Sequence, residues 1–488
     1  MTTLKRHINW AILGRNINAR NIKVFPMGKL SIKKWLVFSA MLVAVLLAMF
    51  PLQQHPALFS YSASVVLITL LFWSTGFIPP FMAGLIFFAL ATIFKLIDPS
   101  ALFSGFGSAA VWLIISGFVI GSAISESGLS RRLAAVIAPA LTMSYPRMIA
   151  GLVISAMLLG FVMPSSVGRA VVMLPIGMAL AEQLGFSRGS NGRIGIATAL
   201  ALACNMPSLA VLPANIPNMI LAGASENLFN VHFGYAEYLF LHFPILGLLK
   251  SAIIVALVVY LFPAKIDKTQ MAAATDIEAY DVVKQVKLGV LLIITLLFWI
   301  TDSWHGINPA WVGLTTAIIL LLPKLGIIEP KRFNQSVDFS TVIFVAAALG
   351  LGVLVNQSGL GSELGQVFSQ YLPLSQGASF LNFMSLSLIS TLTGLVATVP
   401  GVPTVLTPMA ADLANATGFS LPAVLMTQVI GFSTVVFPYQ APPLILAMQL
   451  SQESLAHLLK VTLPLALITL LVLMPLDYLW WQLLGWIS

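Results

Sequence analysis

The sequence predicts an all-α polytopic membrane protein built from an inverted internal repeat. Three observations predict it. The 488 residues are 59% hydrophobic and only 8% charged, whereas a soluble domain is about a quarter charged. Apolar runs long enough to cross a bilayer core recur along the whole chain, each crossing needing about 20 residues. Polar, Gly- and Pro-bearing breaks interrupt these runs at matched places in two halves. A β-barrel would instead show alternating segments of about ten residues, which are absent.

The chain opens with a basic tail, residues 1–34, holding Lys5, Arg6, Arg15, Arg20, Lys23, Lys29, Lys33 and Lys34 and no acid. That tail accounts for the whole net charge of +8, so the basic balance carries no sign of a nucleic-acid partner. It argues for a cytoplasmic N-terminus near anionic headgroups. The tail is too long and too mixed for a secretory signal, and no cleavage site precedes the first span. The first half, residues 35–264, has spans at 35–50, 63–77, 81–97 and 109–124, the last ending in Glu126-Ser127-Gly128-Leu129 and Arg131-Arg132. Two arms, 148–163 and 170–184, then flank the polar break Pro164-Ser165-Ser166-Val167-Gly168-Arg169. A span at 194–212 is interrupted at 213–218 and resumes at Met219, and 239–262 is a full span. Residues 265–287 are the one long mixed-charge stretch in the body of the chain and read as a surface linker.

The second half, residues 288–488, has spans at 288–300, 310–322 and 341–354. A broken unit follows, with arms 380–396 and 404–413 around 397–403. A span at 421–436 meets an interruption at 437–443, and 461–486 closes the chain. With the N-terminus inside, Arg131, Arg132, Arg147, Arg188, Arg193, Lys324, Lys331, Arg332 and Lys460 fall on the cytoplasmic side. The outside loops 53–55, 225–235, 357–379 and 415–420 hold no Lys or Arg, which is the positive-inside pattern. This layout puts the C-terminus outside. Parity does not distinguish a re-entrant hairpin from a pair of full spans. Compact loops and the lack of a targeting segment point to a bacterial inner membrane.

Cys204 is the sole cysteine, so an internal disulfide and a cysteine-based zinc site are excluded. The six His show no metal-ligand spacing. A membrane enzyme would need a Ser/Lys, paired Asp or His-Glu set within helices, and none is visible.

The repeat carries the functional reading. Glu126-Ser127-Gly128-Leu129 recurs as Gln357-Ser358-Gly359-Leu360, and Gly168 before Leu174-Pro175 recurs as Gly401 before Thr407-Pro408, about 231–233 residues later. Asn215–Leu221 has a weaker echo in Gln440–Leu446. Irregular backbone at membrane depth is tolerated only where protein buries it or it lines a wet cavity. Inverted repeats with interrupted helices mark secondary transporters, whose site lies near the midplane where the breaks meet. Broken helices aim N–H groups at anions and free carbonyls at cations.

On these residues the chain from Leu36 onward resembles the divalent-anion:sodium symporter (DASS) family of dicarboxylate, citrate and sulfate transporters. The resemblance implies about eleven transmembrane helices plus two re-entrant hairpins, a homodimer, and an elevator motion past a dimerising scaffold. The family marks each hairpin tip with Ser-Asn-Thr ahead of a proline. The matching positions are Ser165, Ser166 and Val167 before Pro175, and Thr398, Val399 and Pro400 before Pro408. The interruption that completes the family's first sodium site is Asn215-Ile216-Pro217-Asn218 here, and its second copy is Ala441-Pro442-Pro443-Leu444. The chain is thus an atypical member that lacks both Ser-Asn-Thr motifs. The candidate substrate contacts, read from the chemistry of the two breaks, are Ser165, Ser166, Gly168, Arg169, Thr398, Gly401 and Thr404. The resemblance implies cation contacts, with sodium as the coupling ion and no other cofactor or metal, at Ser165, Ala214, Asn215, Asn218, Thr398 and Ala441.

Arg169 is the departure with most chemical content. Its fork suits a carboxylate or sulfate bidentately, and its charge could stand in for sodium at the first site. It could also pair with an acid or snorkel to water. The serines could equally cap helix ends, and the asparagines could brace the broken helix. Glu182, Asp412 and Glu126 read as interfacial; a cavity-facing carboxylate would instead open proton coupling. The expected function is secondary transport of a small anion, a di- or tricarboxylate or sulfate, coupled to sodium, protons or exchange. A cation/proton antiporter or metalloid exporter of the same superfamily is the alternative, and it would be favoured by paired acids at both breaks.

Overall fold

In a computed structural model the described residues are 32–53, 55–129, 144–163, 165–266 and 281–487. The basic tail up to residue 31, Pro164, the Arg131-Arg132 pair and residues 267–280 of the linker lie outside them. Among the described residues the chain is helical with no strand, and nine helices are long and apolar enough to cross a membrane.

Helices α1 (Ile32–Met49), α2 (Ala57–Thr75), α3 (Pro80–Ile93) and α4 (Ala109–Glu126) come first. α5 (Tyr145–Val162) and α6 (Ser166–Gln183) are the two arms of a hairpin. α7 (Asn191–Ala203) and α8 (Ile216–Phe229) are the parts of an interrupted helix, followed by α9 (Tyr235–Leu261). The second half holds α10 (Val282–Ile300), α11 (Pro309–Leu321), α12 (Phe339–Gln357) and α13 (Leu360–Tyr371). α14 (Ser379–Leu406) and α15 (Ala410–Thr417) form its broken unit. α16 (Leu421–Phe432) and α17 (Pro442–Ser451) are its interrupted helix, and α18 (Leu455–Leu483) closes the chain.

Local chemistry sets these ends. Ser108, Ser190, Asn308, Ser420 and Ser454 each accept a backbone N–H in the first turn of the helix they precede, satisfying a donor no helix can satisfy itself. Ser190 and Ser420 cap α7 and α16, so the two interrupted helices start alike. Asp302 reaches across to the start of α9, where its carboxylate accepts from Tyr235 N–H. A buried acid there complements the helix dipole.

Several sequence expectations shift. The first break is shorter than residues 164–169: helix resumes at Ser166, and Gly168 and Arg169 lie in its first turn. Ser165 makes this possible by accepting from Gly168 N–H at 3.0 Å. The break expected at 397–403 narrows to one residue, Thr398, with φ 63° and ψ 168°. Pro400 then sits in the opening turn of the second arm, where a missing N–H costs no hydrogen bond. The loop expected at 357–379 contains the amphipathic helix α13.

The apolar residues form two cores. One gathers α5–α7, α9, α14 and α16–α18 around the hairpins and interrupted helices. The other gathers α2–α4 and α10–α12. The α8 helix borders both, with Leu221 in the first core and Met219, Ile220 and Ala224 in the second. The interrupted helices sit deepest. Every residue of the apolar window in Asn191–Ala210 is buried, against 28% in α10. Close approach depends on small residues, as is usual between membrane helices: a Cβ on Gly195 would lie 1.8 Å from the Tyr145 hydroxyl.

Candidate functional site

The first-half site forms where the hairpin tip meets the break in the interrupted helix. α7 ends at Cys204, two short turns follow (Pro207–Ala210 and Leu212–Ala214), and α8 begins at Ile216. Arg169, fully buried, points from the first turn of α6 into this break. Its Nε donates to Cys204 O at 3.0 Å. Nη1 donates to Met163 O and, at 3.3 Å, to Ala214 O. Nη2 donates to Ser208 Oγ at 2.5 Å and to Ser166 Oγ at 3.2 Å. All five N–H groups of a guanidinium are therefore engaged by three carbonyls and two hydroxyls. None of these partners is an acid.

The surrounding polar groups close the network. Ser166 Oγ donates to Asn215 Oδ1. Asn215 Nδ2 donates to Ser208 Oγ at 2.7 Å and to Asn205 O at 3.2 Å, and Ser208 Oγ donates to Asn205 O. Asn218 Nδ2 donates to Val211 O at 2.9 Å. Its Oδ1 is buried without a partner.

Of the expected first-half residues, Ser166, Arg169, Ala214 and Asn215 thus join one network. Arg169 differs from its expected role: the fork assigned to a substrate is occupied by the break's own oxygens, because α6 starts early enough to aim it inward. Ser165 and Gly168 remain half-buried at the tip beside exposed Val167. In the second half Thr398 is half-buried, while Gly401, Thr404 and Ala441 are buried. Thr404 Oγ1 donates to Pro400 O at 3.4 Å. Tyr439 OH donates to Leu395 O at 2.8 Å, tying the second break to its hairpin arm. No hydrogen bond among the described residues joins the two tip regions. Glu182 meets Arg193 at 3.1 Å and Glu126 meets Arg332 at 3.1 Å, both away from the breaks.

The resemblance implies a sodium ion held by this first break. The residues present do not fit one. The carbonyls of Met163, Cys204 and Ala214 and the hydroxyls of Ser166 and Ser208 have an alkali-cation donor set, yet a protein cation already engages all of them.

Three buried ionisable residues escaped the sequence reading as site groups. Lys250, 1% exposed, donates from Nζ to Ser433 O at 2.7 Å. Ser433 is the residue that ends α16, as Cys204 ends α7. Asp477 is fully buried and both its carboxylate oxygens lack a hydrogen-bond partner. His242 is fully buried, with Nε2 3.3 Å from Met426 Sδ and Nδ1 unpartnered. The signal was present: Lys250 and Asp477 are single charges inside long apolar runs, which in a membrane is a functional pointer by itself.

Comparison with known proteins fits this architecture. A model of the citrate transporter family (CitMHS) matches residues 68–431. A membrane protein of Cupriavidus necator is 25% identical over 448 residues, covering 88% of this chain and 84% of that protein. A putative malate transporter of Bacillus subtilis, YflS, is 25% identical over 53% of this chain and 56% of its own length. An L-tartrate/succinate antiporter of Shigella dysenteriae is 24% identical over 54% of this chain and 56% of its own length. The match therefore spans little more than half of each of those two carriers. Two solved structures share the fold. MtrF of Neisseria gonorrhoeae, from a class of antimetabolite efflux pumps, superposes with a TM-score of 0.54 at 12% identity over 90% of this chain and 97% of its own. The YdaH transporter of Alcanivorax borkumensis gives 0.52 at 15% identity over 81% and 89%. With a family model matching most of its length, this chain belongs to the citrate transporter family and is a multi-pass membrane transporter, not an enzyme.

Proposed function

We propose that the protein is a secondary active transporter of small di- or tricarboxylates. The observation that carries this reading is the meeting of a hairpin tip and a broken helix in one buried polar network. Such backbone is expensive in lipid and occurs where a substrate passes. The α8 N-terminus has no side-chain cap, and its positive dipole end suits a carboxylate. Ser165 and Thr398 supply hydroxyls at the two tips. The family description and the malate and tartrate/succinate relatives favour carboxylates over sulfate.

Two separate cores support an elevator, in which the hairpin-bearing core slides past the other. The element order of residues 57–261 returns in 282–483, in keeping with an inverted repeat and with hairpins that enter and leave on one side. Charge supports an inner-membrane protein with the N-terminus in the cytoplasm and the C-terminus outside. Arg188, Arg193 and Arg332, which the positive-inside pattern assigns to the cytoplasmic side, each have a partner near a helix end, and Lys95, after α3, is the exception to this bias. A homodimer is carried over from the family resemblance. The cation/proton antiporter reading is weaker, since neither break holds an acid among the described residues.

The test is uptake by purified protein in liposomes, offered labelled citrate, succinate, malate and sulfate. Saturable carboxylate uptake and exchange, with sulfate left behind, is the expected result. Failure to move any of the four would overturn the reading.

A further inference from the structure

We infer that the substrate is a dicarboxylate bearing an aryl group, an inference that rests on the carboxylate-carrier reading above. The first broken helix supplies positive charge for the carboxylates, and the second supplies an aromatic wall for the ring.

The two breaks carry opposite chemistry. At the first, Asn215 joins Ser166, Ser208 and the Arg169 guanidinium in one polar network. At the second, Ala441-Pro442-Pro443-Leu444 has no polar side chain. Its two consecutive prolines also remove two N–H groups from the opening turn of α17.

What the second break presents instead is a pair of rings. Phe437 and Tyr439 are stacked, with centroids 5.8 Å apart and planes 12° apart, and both are exposed. They are held in place. Gln440, 1% exposed, accepts through Oε1 from the N–H groups of Val436 and Phe437 at 2.9 and 2.7 Å, which fixes the turn beneath the rings. Tyr439 OH donates to Leu395 O at 2.8 Å, which sets its ring against the second hairpin.

The halves interlock at these breaks. α6, which starts at the first tip, packs on α17, which starts at the second break. α8, which starts at the first break, packs on α14, which holds the second tip. The exposed residues at the tips are apolar as well: Val167 and Val171, one turn apart on α6, and Val396, 74% exposed and two residues before Thr398. Irregular backbone is not tolerated against lipid, so the open side of a break faces water or a substrate. Three valines and two rings on that side give little to a small, strongly hydrated dianion. They suit a molecule with apolar surface of its own to bury, and rings attract a further ring in offset-stacked or edge-to-face geometry.

The polar groups beside them are few and suit a carboxylate. The Ser165 hydroxyl accepts from Gly168 N–H at 3.0 Å and keeps its own hydrogen to donate. The Thr398 hydroxyl stands at the other tip. Arg169 is fully engaged, but by carbonyls and hydroxyls alone, so its charge still attracts an anion bound nearby.

The experiment uses the full-length protein in liposomes preloaded with succinate, beside protein-free liposomes. Uptake of labelled succinate and citrate is compared with that of labelled phenylsuccinate, which is succinate with a ring added. The expected half-saturating concentration is about tenfold lower for phenylsuccinate than for succinate, the gain from one well-stacked ring. Phe437→Ala is expected to bring the two values within about threefold of each other. Val396→Ser changes a side chain too exposed to be needed for folding, and it is expected to narrow the ratio as well. It decides the matter should Phe437→Ala not fold. Uptake of succinate or citrate with phenylsuccinate handled no better would overturn this inference and leave the carboxylate carrier standing. So would phenylsuccinate that blocks succinate uptake without entering, or an undiminished ratio in the folded variants. No protein-dependent uptake of any of the three would instead overturn the carrier reading beneath it.

Discussion

Removing the Arg169 side chain would leave three buried carbonyls and two hydroxyls without their donor. Breaking a buried charged network in this way costs about 3–5 kcal/mol. Arg169→Ala is therefore expected to unfold at a distinctly lower temperature in detergent than the native protein. The bared oxygens are an alkali-cation donor set, so sodium is expected to raise the melting temperature of Arg169→Ala while leaving the native value alone. A variant as stable as the native protein, or one indifferent to sodium, would refute the role given to the guanidinium. Thr398 is the second residue whose geometry predicts an outcome. Its φ of 63° with ψ of 168° is a combination natural only to glycine, costing about 1–3 kcal/mol. Thr398→Gly is expected to melt higher and to transport more slowly, because the tip loses both its hydroxyl and its fixed shape. A lower melting temperature would show that Thr398 is not strained. The sequence pointed to both residues by their place in the breaks. It could not show that Arg169 turns inward, since that follows from where α6 starts, nor that Thr398 alone absorbs the second bend.

At the scale of elements, the breaks were legible because Gly, Pro and hydroxyl residues punctuate otherwise apolar runs. Their extent was not, because a serine cap and a proline in an opening turn both extend helix into residues that look like loop. The helix α13 was missed for the opposite reason. It has no continuous apolar run, although Leu360, Leu364, Val367, Phe368 and Tyr371 repeat at helical spacing, the pattern that marks an amphipathic helix. What holds the second hairpin on its interrupted helix is closeness of backbone. Ser390 Oγ donates to Gln428 O at 2.8 Å, and a Cβ on Gly431 would stand 2.1 Å from Ser390 Cβ. Gly431→Val is thus expected to push α14 off α16, at an overpacking cost of about 1–3 kcal/mol. The check is thermal unfolding beside anion exchange, with both reduced. Native stability and exchange would mean that this contact is not tight in the membrane.

The whole molecule raises the question of what moves. Composition and periodicity showed a polytopic helical chain with a repeat. They could not show that its apolar residues divide into two cores, because that depends on which faces of the helices meet. The division runs beside α8, where Gly223 faces Ala110 of α4, and a Cβ on Gly223 would lie 2.9 Å from that of Ala110. A disulfide needs about 3.8 Å between Cβ atoms, so a small local adjustment would seat one here. Cys204, the only native cysteine, is buried and is first replaced in a Cys204→Ala background. Ala110→Cys with Gly223→Cys then joins α4, which lies in the second core, to the helix that borders the hairpin-bearing one. If the two cores slide past each other during transport, oxidation stops anion exchange and a reductant restores it, while either single cysteine variant does not respond to oxidant. Exchange that continues with the bond formed, verified on a gel, would mean that the substrate crosses with α4 and α8 fixed together. The moving boundary would then have to lie elsewhere, between α8 and the hairpins it packs against.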